Sequence, residues 1–176
     1  MRKSLAFAVL ATTTAGLAAF VPTSANAAST TVTFTLTGGS LTLSAPASAS
    51  LSTGALAVGG TSVTGSLGSS TVSDTRGSLT HTVTVTMASG DFTDGSGDTV
   101  AQTNATGSSG AATVSGVAVA VPTVTGQALA GAGSTILSLT GVIGSASATY
   151  APTVTVTIPG NTIAGNYSGT VTQTAA

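Results

Sequence analysis

TVTVTM at Thr82–Met87 returns as TVTVTI at Thr153–Ile158, seventy-one positions later in a chain of 176 residues. Strict alternation of Thr with an apolar residue has period two, the repeat of a half-buried strand whose successive side chains point to opposite faces. Around the first copy, Leu79, His81, Val83, Val85 and Met87 share one face; around the second, Tyr150, Pro152, Val154, Val156 and Ile158 do. Thr is β-branched, suits a pleated surface and meets water with a hydroxyl instead of a charge. Pro152 lacks an N–H and is expected near the start of its strand or on an edge.

The same pattern extends outward. TVTFTLT (Thr31–Thr37) sets Val32, Phe34 and Leu36 on one face, and SLTLS (Ser40–Ser44) repeats this with Leu41 and Leu43. Further strands are expected at Val63–Leu67, Thr71–Ser73, Thr113–Val121, Thr135–Thr140 and Tyr167–Thr174, separated by Gly-rich turns such as Asp94-Gly95 and Pro159-Gly160. Helical periodicity is absent after the leader. Short alternating strands between turn signals predict an all-β fold, an antiparallel β-sandwich with one apolar inner face per sheet. A solenoid would need three or more repeats at a fixed shorter period. The two Thr-Val copies therefore read as equivalent strands in two related halves, about 28–108 and 109–176, with Ser109–Val121 as the link or crossover.

The first residues belong to a different category. Arg2 and Lys3, an apolar run from Leu5 to Phe20 and the small-x-small triplet Ala25-Asn26-Ala27 read as a secretory signal peptide, 1–27, cut between Ala27 and Ala28. No second long apolar run follows, so no transmembrane helix is expected in the mature chain, residues 28–176. Neither a Cys nor an apolar tail supplies a covalent anchor. Cleavage would leave Arg76 as the sole Lys or Arg, against Asp74, Asp91, Asp94 and Asp98. Nucleic acid is excluded as a partner, because phosphate binding depends on clustered cations that release counterions. Disorder is not expected either, since Val and Thr dominate and net charge is small.

Few residues are equipped for chemistry. His81 is the only imidazole, and its parity reads as a polar filler at the mouth of the sandwich, with a ligand contact as the alternative; no G-x-S-x-G elbow accompanies it. Asp74 and Arg76 flank a turn whose reversal Gly77 allows, and read as a structural turn with a local ion pair, the alternative being that Arg76 meets an acidic wall polymer. DFTDGSGDT carries Asp91, Asp94 and Asp98 among small residues, a candidate Ca²⁺ loop whose spacing fits neither an EF-hand nor a nonapeptide repeat. A polar loop is the competing reading. Three carboxylates clustered on one loop are also unsuited to glycoside hydrolysis, which needs two facing across a cleft. No cofactor is expected, and the chain reads as non-enzymatic.

Two stretches, LGSSTVSDTRGSLTHTVTVT (Leu67–Thr86) and YAPTVTVTIPGNTIAGNYSGTVTQT (Tyr150–Thr174), resemble the WxL-domain surface proteins of Gram-positive bacteria. The first carries that family's Val-x-Asp-x-Arg-Gly as Val72, Asp74, Arg76 and Gly77; the second carries Pro159, the Ala164-Gly165-x-Tyr167 turn and Thr170-Val171-Thr172. His81 and Gln173 stand where the family places its two Trp residues. The resemblance implies an immunoglobulin-like sandwich, export, and non-covalent attachment to peptidoglycan, another cell-wall polymer or other surface proteins. His81, Gln173, Asp74 and Arg76 become its candidate binding residues, with both Trp absent. A second resemblance, to secreted spore-coat and pilus-type subunits, rests on Gly165-x-Tyr167-x-x-Thr170-Val171-Thr172. The alternative function is accordingly a self-associating subunit of a surface layer, coat or fibre, favoured by uncharged strand edges; a secreted hydrolase would have to use His81 or the Asp loop.

Overall fold

The computed structural model describes residues 31–51, 61–123 and 125–176, of which 36–176 belong to one compact unit. The strands are β1 (Leu41–Ser44), β2 (Ser62–Ser66), β3 (Ser70–Ser89), β4 (Phe92–Thr93), β5 (Thr99–Val100), β6 (Ala105–Ser108), β7 (Ala112–Pro122), β8 (Gln127–Ala128), β9 (Ser134–Tyr150), β10 (Thr153–Thr157) and β11 (Val171–Ala175), with one 3-10 turn at Gln102–Asn104. One sheet runs β1-β3-β9-β7 with β11 also on β3, a second runs β2-β10-β6-β8, and β4 pairs with β5. All pairings are antiparallel. The expected all-β, sandwich-like architecture is the observed one. The signal segment and the Ala27–Ala28 junction lie outside the described residues.

The longest strand, β3, has 20 residues and cannot be straight. Gln173 on β11 lies opposite Met87, yet its amide donates to Ser70 Oγ at 3.2 Å. A straight run from Ser70 to Met87 would span roughly 55 Å at strand rise. The chain folds over between Asp74 and Val83, where its register against β9 slips three times. Gly77 has φ 71° there, Gly141 and Gly144 on β9 have φ 64° and 71°, and Gly116 on β7 has φ 90°. These left-handed values suit glycine, and such bulges bend a strand. Since β7 slips against β9 at the same level, between Gly116 and Val119, three neighbouring strands bend together and the sheet turns a corner. β1 pairs with β3 before the corner and β11 pairs with it after.

This corrects several expectations. Asp74–Gly77 does not separate two strands; it is a corner inside one continuous strand that joins Thr71–Ser73 to the first Thr-Val copy. Ser109–Val121 is mostly β7, a sheet member rather than a crossover. Both sheets contain strands from before and after residue 108. The two Thr-Val copies stand in different sheets, β3 in one and β10 in the other. Tyr150 ends β9, and Ala151-Pro152 carries the chain into the second sheet, so Pro152 does precede its strand.

The two copies share one core. Val83, Val85 and Met87 from β3 and Val154 and Val156 from β10 are buried in the cluster that also holds Leu137, Leu139, Val142 and Tyr150. Met87 reaches across to β6, where a Cβ on Gly107 would collide with its Cε. On the opposite faces hydroxyls pair across strands: Thr64 with Thr155 at 2.7 Å, Ser108 with Thr153 at 2.8 Å and Thr71 with Thr149 at 3.1 Å. Such pairs tie strands without charge.

Leu79 departs from its expected face and is 89% exposed, because the corner's register slips re-aim the residues just before His81. Val32, Phe34 and Leu36 are also exposed and residues 31–40 form no strand. Alternation selects a face but supplies no partner edge. Leu139→Ala is expected to cost about 2–5 kcal/mol, whereas Leu79→Ala should stay within about 0.5 kcal/mol of wild type; paired urea titrations measure both.

Candidate functional site

The corner carries the densest polar cluster. Asp74 is fully buried. Its Oδ1 accepts the Arg76 backbone N–H at 2.9 Å and Arg76 Nε at 3.0 Å. Its Oδ2 accepts Arg76 Nη2 and His81 Nε2, both at 2.7 Å. The other ring nitrogen of His81, Nδ1, lies 2.8 Å from the Leu79 carbonyl oxygen. A carbonyl and a carboxylate both only accept, so both bonds form together only when both ring nitrogens carry protons. Either neutral tautomer loses one of them.

The charge states follow from these contacts. Hydrogen bonds from Arg76 hold the Asp74 carboxyl well below the usual carboxylate range, against the opposing effect of burial. The bond to Asp74, and then the Leu79 carbonyl, raise the His81 pKa above the ordinary imidazole value. The arrangement is an ionic clamp across the bulge. It leaves His81 poorly suited to general-base work, because one nitrogen faces a carboxylate and the other a backbone carbonyl. The local ion pair expected between Asp74 and Arg76 is present, and His81 joins it rather than filling the sandwich mouth among Leu79 and Val83.

Gln173 is placed elsewhere. It lies opposite Met87, six positions along β3 from His81, so His81 and Gln173 serve separate arrangements. Tyr150 donates to Gln173 Oε1 at 2.8 Å, and Gln173 donates to Ser70 Oγ at 3.2 Å. Tyr150 and Ser70 are themselves strand partners, so this relay fastens β11 to the opposite arm of the folded sheet. Burial pushes the Tyr150 hydroxyl pKa up to about 12, which keeps it a donor at any ordinary pH.

Gln173 also borders a cleft of about 750 Å³. Leu43, Phe92, Ile158 and Tyr167 contribute to its lining, with segments 45–51 and 162–171, and no Asp, Glu, Lys, Arg or His is among the described lining residues. The Ala164-Gly165-x-Tyr167 motif forms part of this wall, and the Tyr167 hydroxyl closes its turn by donating to the Ile163 carbonyl at 2.9 Å. An apolar lining with amide and hydroxyl groups suits an uncharged, amphipathic ligand. Of the candidate binding residues only Gln173 lines this cleft, beside the Tyr167 turn; the loops that build the rest of it are rich in Gly, Ser and Ala.

Two of the three loop carboxylates, Asp91 and Asp94, are used internally. Asp94 Oδ1 accepts the backbone N–H groups of Ser96, Gly97 and Asp98 at 2.8, 3.2 and 3.1 Å. Asp91 Oδ1 accepts Gln102 N–H at 2.7 Å. Among the described residues, no three His, Cys, Asp or Glu side chains gather to hold a metal. No described helix is long and apolar enough to cross a membrane.

Compared with known proteins, the chain matches no family model, no curated protein and no solved structure.

Asp74→Asn removes the clamp's charge while keeping its shape, and is expected to cost about 2 kcal/mol in a denaturant titration. The pH dependence has two limbs. Asp74 has a depressed folded pKa, so its contribution is present above the unfolded value near 3.8 and fades as pH falls below it. His81 has a raised folded pKa, so its contribution is full below about pH 6.5 and is lost as pH climbs through the folded value. Melting temperature should therefore peak between about pH 4 and 6.5. In His81→Gln the fall on the alkaline side should vanish, as thermal melts across pH 5–9 would register.

Proposed function

We propose that the chain is an exported, non-enzymatic cell-surface protein that associates non-covalently with the cell wall or with other surface components through its uncharged cleft. The carrying observation is the coincidence of that cleft with the second WxL-like motif: Ala164, Gly165, Tyr167 and Gln173 all line it. The first motif, Val72-x-Asp74-x-Arg76-Gly77, holds the corner and therefore serves the scaffold. The signal-like leader supports export. The composition supports a neutral partner such as a glycan chain or an uncharged protein segment, since the cleft offers no charge to pair. A non-enzymatic role is supported by the engagement of His81, Asp74, Asp91 and Asp94 in internal hydrogen bonds.

Self-association as a surface-layer or fibre subunit is a second reading. It is favoured by the low charge of the strands, whose only ionisable Asp, Arg or His side chains lie at the corner, Asp74, Arg76 and His81.

Mature protein incubated with purified Gram-positive cell walls is expected to sediment with them. Ala164→Trp, which fills the cleft from an exposed position, should weaken retention about tenfold or more while leaving the melting curve unchanged. Full recovery of wild type in the supernatant would remove the wall-binding reading. Amino-terminal sequencing of exported material should begin at Ala28.

A further inference from the structure

One stretch of strand reverses the inward placement of valine seen in both Thr-Val copies. Past the Gly116 bulge, β7 reads Val117-Ala118-Val119-Ala120-Val121. Ala118 and Ala120 pack against the core, while Val117, Val119 and Val121 are 57%, 64% and 54% exposed. Their neighbours across β9 and β3 show which face this is. Ala120, Leu139 and Val83 form one inward row, and Val121, Ser138 and Thr84 form the adjacent outward row. Elsewhere on that outward face the chain places Thr and Ser: Thr84, Thr86, Thr135, Ser138 and Thr140. A strand serving only its own core would put Val inside and Thr outside. Here the larger apolar side chains face out, and Ile143, the register partner of Val117, extends the stripe at 50% exposure.

The stripe also lies on an open edge. Among the described residues, β7 is the last strand of its sheet and pairs with β9 alone. Edges of this kind are usually protected by Lys or inward charge, yet neither β7 nor β9 contains a charged residue. We infer that the Val117–Val121 segment of β7 is a self-recognition edge that pairs antiparallel with the same segment of a second copy about a two-fold axis at Val119. That register sets Val117 opposite the partner copy's Val121 and Val119 opposite its own counterpart, so valine meets valine at all three outward positions. A two-fold axis requires such self-complementarity, and two uncharged edges meet without stranding a charge. A charged peptide would gain nothing there that water does not already supply.

The size of the contact sets its strength. Five or six paired residues make a strip roughly 20 Å long and 10 Å deep, on the order of 400 Å² for both copies. That is well under the ~1,000 Å² of a stable interface. The pair is therefore a weak contact, with a dissociation constant on the order of 0.1–1 mM, populated where copies are crowded. None of the cleft-lining residues belongs to β7, so this edge stands or falls independently of cleft binding.

Because the natural chain has no Cys, single cysteines report the register directly. In Val119→Cys the two Cα atoms would lie about 4.5–5.5 Å apart, within disulfide range. In Thr113→Cys, beyond the Gly116 bend and twelve register positions from its counterpart, they would lie far outside disulfide range. Under mild oxidation of the mature chain, V119C is expected to form covalent dimer at least about tenfold faster than T113C, a rate ratio the two-fold register requires. A mixture of V117C and V121C should cross-link to each other in preference to themselves. In sedimentation equilibrium the wild type should show a mass that rises with concentration, and Val119→Lys should remain monomeric. Equal cross-linking of V119C and T113C, together with a wild type that stays monomeric at millimolar concentration, overturns the assignment. If V119C misfolds, the V117C and V121C mixture decides it alone: self-linking as fast as cross-linking overturns it.

Discussion

A fully buried carboxylate with four donors around it organises the larger sheet. Asp74 holds Arg76 through both backbone and guanidinium and holds His81 across a bulge. Those three residues sit where β3 folds over, and β1, β9 and β11 all pair with β3. Without a fixed corner the two arms of that strand would have no defined relation, and neither would the strands attached to them. An isolated buried charge is costly, but one that accepts several charge-assisted hydrogen bonds is compensated by them. The clamp is thus a structural use of the chain's scarcest resource, since the sequence contains four Asp and Glu residues in total.

The same scarcity shapes everything outside the corner. Solubility and strand cohesion are carried by hydroxyls, visible as the Thr64–Thr155, Thr71–Thr149 and Ser108–Thr153 pairs. Loop geometry takes two of the remaining carboxylates, Asp91 and Asp94. The cleft and the free edge of β7 are left without charge. Both are consequently surfaces whose recognition rests on shape, apolar contact and hydroxyl or amide groups. Such recognition is weak per contact and would suit partners that are repetitive or crowded.

The candidate residues were legible as residues but not as a site. Asp74, Arg76 and His81 stand out in a nearly uncharged chain, and the ion pair between the first two follows from their spacing. That His81 would join them did not follow from parity, because the corner breaks the period-two count between Asp74 and Val83. Leu79 fails for the same reason, exposed although it alternates with buried valines. Gln173 was separated from His81 only once the pairing of β11 with Met87 was known. The cleft was hardest to foresee, since its walls are loops of small residues whose course depends on the strands they connect.

The amino-acid sequence by itself determined that the chain is rich in strands, that the valines of the two Thr-Val copies gather inward while their hydroxyls face the other way, and that charge is sparse. Those properties follow from local chemistry: β-branched side chains, a period of two, and the count of Lys and Arg. Only the tertiary structure decided that the two Thr-Val copies belong to different sheets, that one strand folds into both arms of a corner, and that β7 turns its valines outward. These depend on strand pairing and register. Residues far apart in sequence exchange backbone hydrogen bonds to set them, and a slip of one position reverses every face that follows.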